Sequence, residues 1–422
     1  MTTSETNEEL NPGSPTPVEA ERPVSDAAKK GSALEVLLVS TKLGLTSFGG
    51  PIAHLGYFHN EYVERRKWLA PDVYAEVVAL SQALPGPASS QVGIAIGLMR
   101  AGLIGGILAW LGFTLPSAAA LVAFAFGVKE IGDVSDAAWL HGLKLAAVAI
   151  VAFAVWGMAR SLAPDKERAT IAIVAGILAL TLETAIAQVG IIVLAGLIGW
   201  RLFFSAGSRP ETHLPVAVGR NVAIGAWVLF FGLLFCLPLA AAAADSQALN
   251  IFDSFYRTGS LVFGGGHVVL PLIQREVVTP GWVTPDDFLA GYGAAQAVPG
   301  PLFTLAAYLG AIMGPQPNGV LGGTIALTAI FLPSFLLVVG GLPAWSLIRR
   351  NPSFLAALRG VNAAVVGLLL AALYNPVFTS GVRSAEDFSI AIAAFGLLAF
   401  WKTPPWMVVA FSALAAVAVD TL

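Results

Sequence analysis

The sequence Gln82-Ala83-Leu84-Pro85-Gly86-Pro87 occurs a second time, in nearly the same form, as Gln296-Ala297-Val298-Pro299-Gly300-Pro301. Upstream of each copy lies a glycine motif, Phe48-Gly49-Gly50 in the first half and Phe263-Gly264-Gly265 in the second, and the copies are 214 to 215 residues apart. Gly and Pro interrupt helices, and these motifs lie in or beside apolar segments. Interrupted apolar segments at matching positions of two halves indicate a binding site between two repeats of a membrane protein.

Composition places the chain among membrane proteins. Hydrophobic residues make up 56% of its 422 residues and charged residues only 12%, which is about half the charged share of a soluble domain. The apolar residues form runs of about 20, long enough to span a bilayer. We therefore predict an all-α polytopic membrane protein. The single Cys236 excludes a disulfide framework, no motif for nucleic acid is present, and no metal or cofactor is expected.

The two halves match beyond these motifs. Gly102-Leu103-Ile104-Gly105-Gly106 corresponds to Gly319-Val320-Leu321-Gly322-Gly323, and Leu115-Pro116-Ser117 corresponds to Leu332-Pro333-Ser334. Such self-similarity predicts two homologous repeats. The predicted domains are a disordered cytoplasmic tail at 1–31, a first repeat at 33–205, a linker with one extra transmembrane span at 206–247, and a second repeat at 248–422.

The basic residues predict the topology. If the two interrupted segments that begin each repeat are re-entrant hairpins, Arg65, Arg66, Lys67 and Arg100 all face the cytoplasm, as the positive-inside rule requires. A full crossing by the first segment would place the first three of these outside, and the sequence leaves both arrangements open. The single extra span makes the repeats an inverted-topology pair. The expected location is the inner (plasma) membrane, with the N-terminus cytoplasmic and the C-terminus outside.

The Pro-Gly-Pro breaks predict helix starts that suit an anion. A helix that begins after Pro87, or after Pro301, has first N–H groups without intrahelical acceptors and therefore a partial positive charge. The hydroxyl groups of Ser89, Ser90 and Thr304 add hydrogen-bond donors. A tetrahedral oxyanion binds in such a shell of donors. The alternative is a structural kink that neighbouring helices stabilise.

Two cations accompany the glycine motifs. Lys42 and Arg257 each lie six residues before their Phe-Gly-Gly motif, in an apolar stretch. A cation at membrane depth is costly and usually functional, although a side chain that reaches the interface is the alternative. Gln82 and Gln296 lie three residues before their Pro-Gly-Pro breaks, where they either donate to an anion or bond to a neighbouring helix.

Two histidines, His54 and His267, flank the glycine motifs, and a hydrogen-bonded packing role is the alternative to a titrating one. Glu61 and Glu276 match across the repeats and are expected either to exchange protons or to pair with nearby arginines. The candidate substrate-binding residues are Lys42, Phe48, Gly49, Gly50, Gln82, Pro85, Gly86, Pro87, Ser89, Ser90, Arg257, Phe263, Gly264, Gly265, His267, Gln296, Pro299, Gly300, Pro301 and Thr304.

At these motifs the chain resembles the chromate ion transporter family in its long, two-domain form. The stretches that carry the resemblance are 48–69, 81–102 and 111–119 in the first half, and 263–272 and 295–301 in the second. The resemblance implies a transporter in the lipid bilayer that exports chromate, a tetrahedral oxyanion, from the cytoplasm and so confers resistance to chromate.

Two other functions remain open at the level of sequence. One is transport of another tetrahedral dianion such as sulfate, which has the same charge and shape as chromate. The other is a membrane-embedded enzyme, which would need a nucleophile with its base, or metal ligands, converging inside the membrane. The sequence also leaves open whether transport is coupled to protons and whether the chain forms a homodimer.

Overall fold

The structure is a computed structural model. It describes residues 31–131, 138–182, 185–204, 214, 218–263 and 269–421. All regular secondary structure in these residues is helical, and five of the helices are long and apolar enough to cross a membrane. The prediction of an all-α polytopic membrane protein is therefore confirmed. The predicted tail lies outside the described residues except for Gly31.

The described part of the first repeat forms α1 to α7, and α8 links it to the second repeat. The helices are α1 (Ala33–Thr46), α2 (Gly50–Phe58, continued by a π-helical segment His59–Arg65), α3 (Pro71–Ala83), α4 (Ala88–Ile131), α5 (Ala138–Leu162), α6 (Lys166–Thr181), α7 (Ala185–Leu202) and the linking α8 (Arg220–Ala243). The assigned α4 is two helices joined at a kink, because Ala101 and Gly102 have non-helical dihedral angles. Its second half begins at the repeated motif Gly102-Leu103-Ile104-Gly105-Gly106.

The second repeat follows the same order. Its elements are α9 (Gln247–Leu261), α10 (Val269–Val277), α11 (Pro285–Ala297), a 3₁₀ turn (Leu302–Thr304), α12 (Leu305–Ile312), α13 (Gly319–Arg350), α14 (Pro352–Ala372, continued by a π-helical segment Leu373–Phe378), α15 (Thr379–Gly381), α16 (Ala385–Ala399) and α17 (Pro405–Asp420). The matching elements are α1 and α9, α3 and α11, and the two halves of α4 with α12 and α13.

Helices end at the predicted breaks. In the first repeat α3 stops at Ala83 and α4 starts at Ala88, because the prolines lack an N–H donor and disfavour a helical conformation in the residue before them. Gly86 adopts a φ of 121° and its counterpart Gly300 a φ of 105°, which residues with a Cβ atom adopt only with strain. The predicted interruption of both helices is confirmed.

Both segments at the start of the first repeat fold back as hairpins. Glu35, in the first turn of α1, accepts from Arg66 at 3.4 Å and from Arg100 at 3.3 Å. Arg66 lies at the end of the first hairpin and Arg100 near the end of the second, so both return to the level at which α1 begins. In the second repeat the N–H of Gly314 donates to the carbonyl of Trp282 at 3.0 Å, which joins the corresponding hairpin ends. This geometry favours hairpins over a full crossing.

The two repeats exchange their C-terminal helices. Helix α5 of the first repeat packs against α16 and α17 of the second, and α14 of the second packs against α6 and α7 of the first. The contacts are close because the crossing residues are glycines. A Cβ atom on Gly142 would lie 2.5 Å from the Ser412 carbonyl oxygen, and one on Gly360 would lie 2.8 Å from the Cα of Gly199. Neither repeat therefore buries its helices alone.

One ion pair joins the first repeat to the second repeat where these helices pack. The side chain of Lys144, in α5, is completely buried, and its Nζ lies 2.7 Å from the carboxylate of Asp286 in the first turn of α11. The Asp286 side chain is 34% exposed and also lies 3.8 Å from Arg383. The lysine consequently depends on one carboxylate of the other repeat, whereas the carboxylate has water and a second cation available.

The unequal burial of this pair predicts unequal costs of breaking it. Asp286→Asn leaves a buried ammonium without its carboxylate and should lower the free energy of unfolding by about 3–5 kcal/mol. Lys144→Met removes the buried charge and should cost less. Thermal unfolding of the purified protein in detergent measures both, with Asp72→Asn, the matched and exposed position of α3, as the control. An equal or larger loss in Lys144→Met would contradict this account.

Candidate anion site at the paired helix breaks

Each Pro-Gly-Pro break of one repeat is hydrogen-bonded to the glycine segment of the other. The N–H of Gly86 donates to the carbonyl of Val262 at 2.7 Å, directly before the second Phe-Gly-Gly motif. The N–H of Gly300 donates to the carbonyl of Ser47 at 2.9 Å, directly before the first Phe-Gly-Gly motif. This reciprocal pattern is the one that a two-fold exchange of equivalent elements produces. The two motifs that repeat in the sequence are therefore contact partners across the repeats.

The Leu-Pro-Ser motifs contribute to both of these contacts between the repeats. We call the contact region at Gly86 and Val262 the first crossing, and the one at Gly300 and Ser47 the second crossing. The Cα of Gly86 faces Ser334 of α13, and Gly300 faces Ser117 of α4, where a Cβ atom would lie 2.7 Å from the serine Oγ. These serines occupy matching positions of the two repeats. Each crossing thus contains two hairpin tips and one long helix, and a serine hydroxyl group faces each Pro-Gly-Pro glycine.

The first break is rich in polar atoms. Ser89 Oγ lies 3.2 Å from Nδ1 of His54, and Gln91 Nε2 donates to the Pro85 carbonyl at 2.6 Å. Within the described residues, the buried Oγ atoms of Ser90 and Ser334 have no hydrogen-bond partner. Buried polar atoms normally have partners, so unpaired ones beside a helix start indicate a place for a polar ligand.

The second break is less polar than the sequence predicts. Thr304 Oγ1 donates to the Pro301 carbonyl at 2.7 Å, so its proton is already used. The residue that corresponds to Ser89 here is Phe303. Gln296 is buried, and its Nε2 has no partner among the described residues, whereas the matching Gln82 is exposed. The two breaks therefore do not offer equivalent donors.

The two predicted cations are held by carboxylates. Lys42 Nζ lies 2.7 Å from Glu61, which also accepts from Arg66 at 2.8 Å. Arg257 lies 2.8 Å from Glu276 and 3.2 Å from Asp253. Both cations are thus already neutralised within their own repeat. Their predicted role as ligands of an anion stays a prediction, and in the structure each is paired with a carboxylate.

The remaining candidates flank the two crossings or belong to the residues that the structure does not describe. Gly49 and Gly50 have φ values of 94° and 77°, which end α1 and allow α2 to start in a new direction. The ring of Phe48 lies 6.3 Å from that of Trp406 and not in the break. Phe263 is partly buried beside Val262. Gly264, Gly265 and His267 belong to the residues that the structure does not describe.

Sequence reasoning missed several residues of the crossings. Ser117 and Ser334 belong to a repeated motif that was visible, but nothing in the sequence places them against the Pro-Gly-Pro glycines of the opposite repeat. Ser47 contributes its backbone carbonyl, which no side-chain pattern reveals. The motifs also do not indicate Glu76, a buried carboxyl of α3 that accepts from the indole of Trp345 at 2.9 Å.

The chemistry that this site offers is binding by neutral donors. It contains hydroxyl groups, side-chain amides, an imidazole and the start of α4. No group of three or more His, Cys, Asp or Glu side chains that could hold a metal ion occurs in the part of the chain that the structure describes. The arrangement suits a small anion that accepts hydrogen bonds from several sides.

The fold and this site define a polytopic α-helical membrane transporter built from two repeats. The family model for chromate transporters matches residues 34–200 and 249–417, one match for each repeat. The chain belongs to the chromate transporter family. The relatives are named as transport proteins, which assigns the chain to transporters and not to enzymes.

Three relatives show the extent of the similarity. A chromate transport protein of Pseudomonas aeruginosa is 28% identical over 370 residues, covering 86% of each chain. One of Cupriavidus metallidurans is 28% identical over 396 residues, covering 90% of this chain and 91% of its own. An uncharacterized transporter of Bacillus subtilis is 32% identical over 169 residues, which is 82% of its length but 38% of this chain, close to one repeat. No solved structure matches the chain.

The close contacts at the crossings predict a loss of stability when a methyl group is added to a Pro-Gly-Pro glycine. Gly300→Ala should destabilise the protein by at least the 1–2 kcal/mol that positive φ costs a residue with a Cβ atom, and the contact with Ser117 Oγ adds to this. Gly225→Ala, in an open position of α8, is the control and should be neutral or stabilising. Thermal unfolding measures both. The added substitution Ser117→Ala should recover part of the loss, and equal stability of the two alanine variants would refute this view of the break.

Proposed function

We propose that this protein moves a tetrahedral oxyanion, chromate, out of the cytoplasm through a site at the two crossings. The observation that supports this most is the reciprocal pair of hydrogen bonds, Gly86 to Val262 and Gly300 to Ser47. They bring the four interrupted segments together, and interrupted helices at a repeat interface are where transporters of this kind bind their substrates. Family membership makes an oxyanion the expected substrate.

The first crossing is the proposed centre of the anion site. The unpaired hydroxyl groups of Ser90 and Ser334 and the start of α4 would surround the oxyanion with donors, and the unpaired amide of Gln296 is the corresponding donor at the second break. Lys42 and Arg257 take a different role in this proposal, because their ion pairs with Glu61 and Glu276 brace the two arms of each first hairpin. They add no free charge to the centre.

The proposed topology is an inverted pair of repeats in the inner membrane, with the N-terminus cytoplasmic. The tips of the first-repeat hairpins, at Ser47 and Gly86, contact the tips of the second-repeat hairpins, at Gly300 and Val262, as is expected when the hairpins enter from opposite sides of the bilayer. The single apolar helix α8 between the repeats supports the same arrangement. Rocking of one repeat against the other would then open the site to each side in turn. Oligomeric state does not enter this proposal.

The membrane potential favours export. Each elementary charge that crosses 100 mV contributes about 2.3 kcal/mol, so a dianion that leaves a cell interior at about −150 mV gains roughly 7 kcal/mol. A carrier that releases a dianion outward therefore needs no other energy source. If the carrier instead moved the dianion inward, it would need co-transported cations to overcome the membrane potential. This difference in electrical energy is the reason for proposing export, and export would confer resistance.

The direct test is chromate flux from proteoliposomes that contain the full-length protein. An imposed potential, negative inside, should accelerate the loss of internal chromate. Ser334→Ala should slow it by about tenfold or more, because a hydrogen bond to a charged ligand contributes about 1.5–3 kcal/mol. Ser412→Ala removes a hydroxyl group that is equally buried and unpaired but lies in α17, and it should have little effect.

Three outcomes of this experiment decide the proposal. Flux equal to that of protein-free liposomes would refute transport of chromate. Flux that ignores the potential would refute net movement of negative charge. If internal sulfate leaves at the same rate and competes fully with chromate, the substrate is the wider class of tetrahedral dianions.

A further inference from the structure

A dianion at the first crossing needs positive charge, and the structure restricts where it comes from. Lys42, Arg257 and Lys144 are each paired with a carboxylate, at 2.7 to 2.8 Å. Neutral hydroxyl and amide donors reduce the cost of burying a doubly charged ion but do not neutralise it. A group that gains positive charge only when the anion is present would meet this need, since it leaves no uncompensated charge in the empty site.

Among the residues that the structure describes, His54 is an ionisable side chain that contacts both crossings. It is 1% exposed, lies on α2 directly after the first glycine motif, and stands edge-on to the ring of Phe113 at 5.4 Å. Its Nδ1 lies 3.2 Å from the Oγ of Ser89, which follows the first Pro-Gly-Pro break. It also contacts the backbone of Ser47, whose carbonyl accepts from Gly300 in the second break. The imidazole therefore lies between the two breaks.

The free atom of this ring is Nε2, which is buried and has no hydrogen-bond partner among the described residues. When Nδ1–H donates to Ser89, the neutral ring presents a lone pair at Nε2, which repels an anion. Protonation converts Nε2 into an N–H donor and gives the ring a positive charge. One proton thus changes this atom from unfavourable to favourable for an oxyanion.

Charged groups on the neighbouring elements are engaged elsewhere. Glu61, on the continuation of α2, is held by Lys42 and Arg66, and Arg100 of α4 is paired with Glu35. Tyr74 of α3 donates to the backbone carbonyl of Leu55, and Glu76 accepts from Trp345. Within the described part of the chain, the imidazole contacts Ser47, Ser89 and Phe113, none of which carries a charge. A bound anion would therefore be the charged neighbour that stabilises an imidazolium here.

We propose that His54 is a protonatable ligand of the oxyanion, which takes up one proton when a dianion binds and returns it when the dianion leaves. This inference rests on the proposed function, because it concerns the same site. The proposal describes a carrier that moves one proton with each dianion. The net charge moved in each cycle is then one negative charge, whereas a dianion alone would carry two. The proton comes from the solvent on the side where the anion enters.

Binding of chromate to the purified full-length protein in lipid nanodiscs tests this directly. Between about pH 7.5 and about pH 9 chromate stays a dianion, and linkage requires its affinity to fall about tenfold per pH unit if one proton binds with it. A pH indicator in weakly buffered solution should report uptake of one proton per chromate. His54→Gln should bind more weakly at the lower pH, lose the pH dependence and take up no proton.

The matched control is His59→Gln. This histidine lies five residues further along, has a side chain that is 41% exposed, and stands edge-on to the ring of Tyr74 at 5.3 Å. It should keep both the proton uptake and the pH dependence. The wild-type measurement also decides the case if His54→Gln does not bind chromate at all, because an affinity that is constant over this pH range would refute the proposal.

Each outcome separates this inference from the function on which it rests. Wild-type protein that does not bind or transport chromate refutes the proposed function. Wild-type protein that binds chromate without proton uptake refutes only the role of His54, and indicates the opposite tautomer with Nε2–H already present. Proton uptake that persists in His54→Gln places the proton on another group and equally refutes it.

Discussion

The constraint that governs this molecule is that a broken helix inside a membrane must find hydrogen-bond partners within the protein. Proline and glycine free backbone groups at four points, and lipid offers no partner for them. The structure satisfies these groups reciprocally, because the break of each repeat donates to the carbonyl before the glycine motif of the other. Neither repeat can therefore be complete alone, and the exchange of C-terminal helices around α5 and α14 extends the same dependence to the whole fold.

In this arrangement the charged side chains and the neutral polar side chains lie in different parts of the molecule. Full charges lie in ion pairs near the hairpin arms and at the edge of the exchanged helices, where Lys42, Arg257 and Lys144 each contact a carboxylate. Among the described residues, the two crossings contain neutral donors and the imidazole of His54. A site of fixed cations would hold a dianion strongly and release it slowly, whereas neutral donors with a reversible charge allow both binding and release. We regard this as the physical reason for placing the breaks, and not the cations, at the centre.

Much of the fold was predictable because its causes are local. Apolar runs predict the helices, and Pro-Gly-Pro predicts where they break. The hairpin arrangement followed from the basic residues, and the contacts of Glu35 support it. Contacts between distant segments were not predictable: Ser47 acts through its backbone, Ser334 lies 248 residues from Gly86, and the partner of Lys144 is in the other repeat. Sequence reasoning proposed Lys42 and Arg257 as ligands of the anion from the cost of a charge at membrane depth, and it did not identify their carboxylate partners.

The central claim is that equivalent hairpins meet from opposite sides, and the most direct measurement is the side on which matched positions lie. Glu64 and Thr279 are exposed, correspond across the repeats and follow the first hairpin of each. Each is replaced singly by cysteine in a Cys236→Ser background, and intact cells are treated with a membrane-impermeant thiol reagent. Our account predicts labelling at 279 from outside and labelling at 64 only after the membrane is opened. Labelling of both positions from the same side would contradict it.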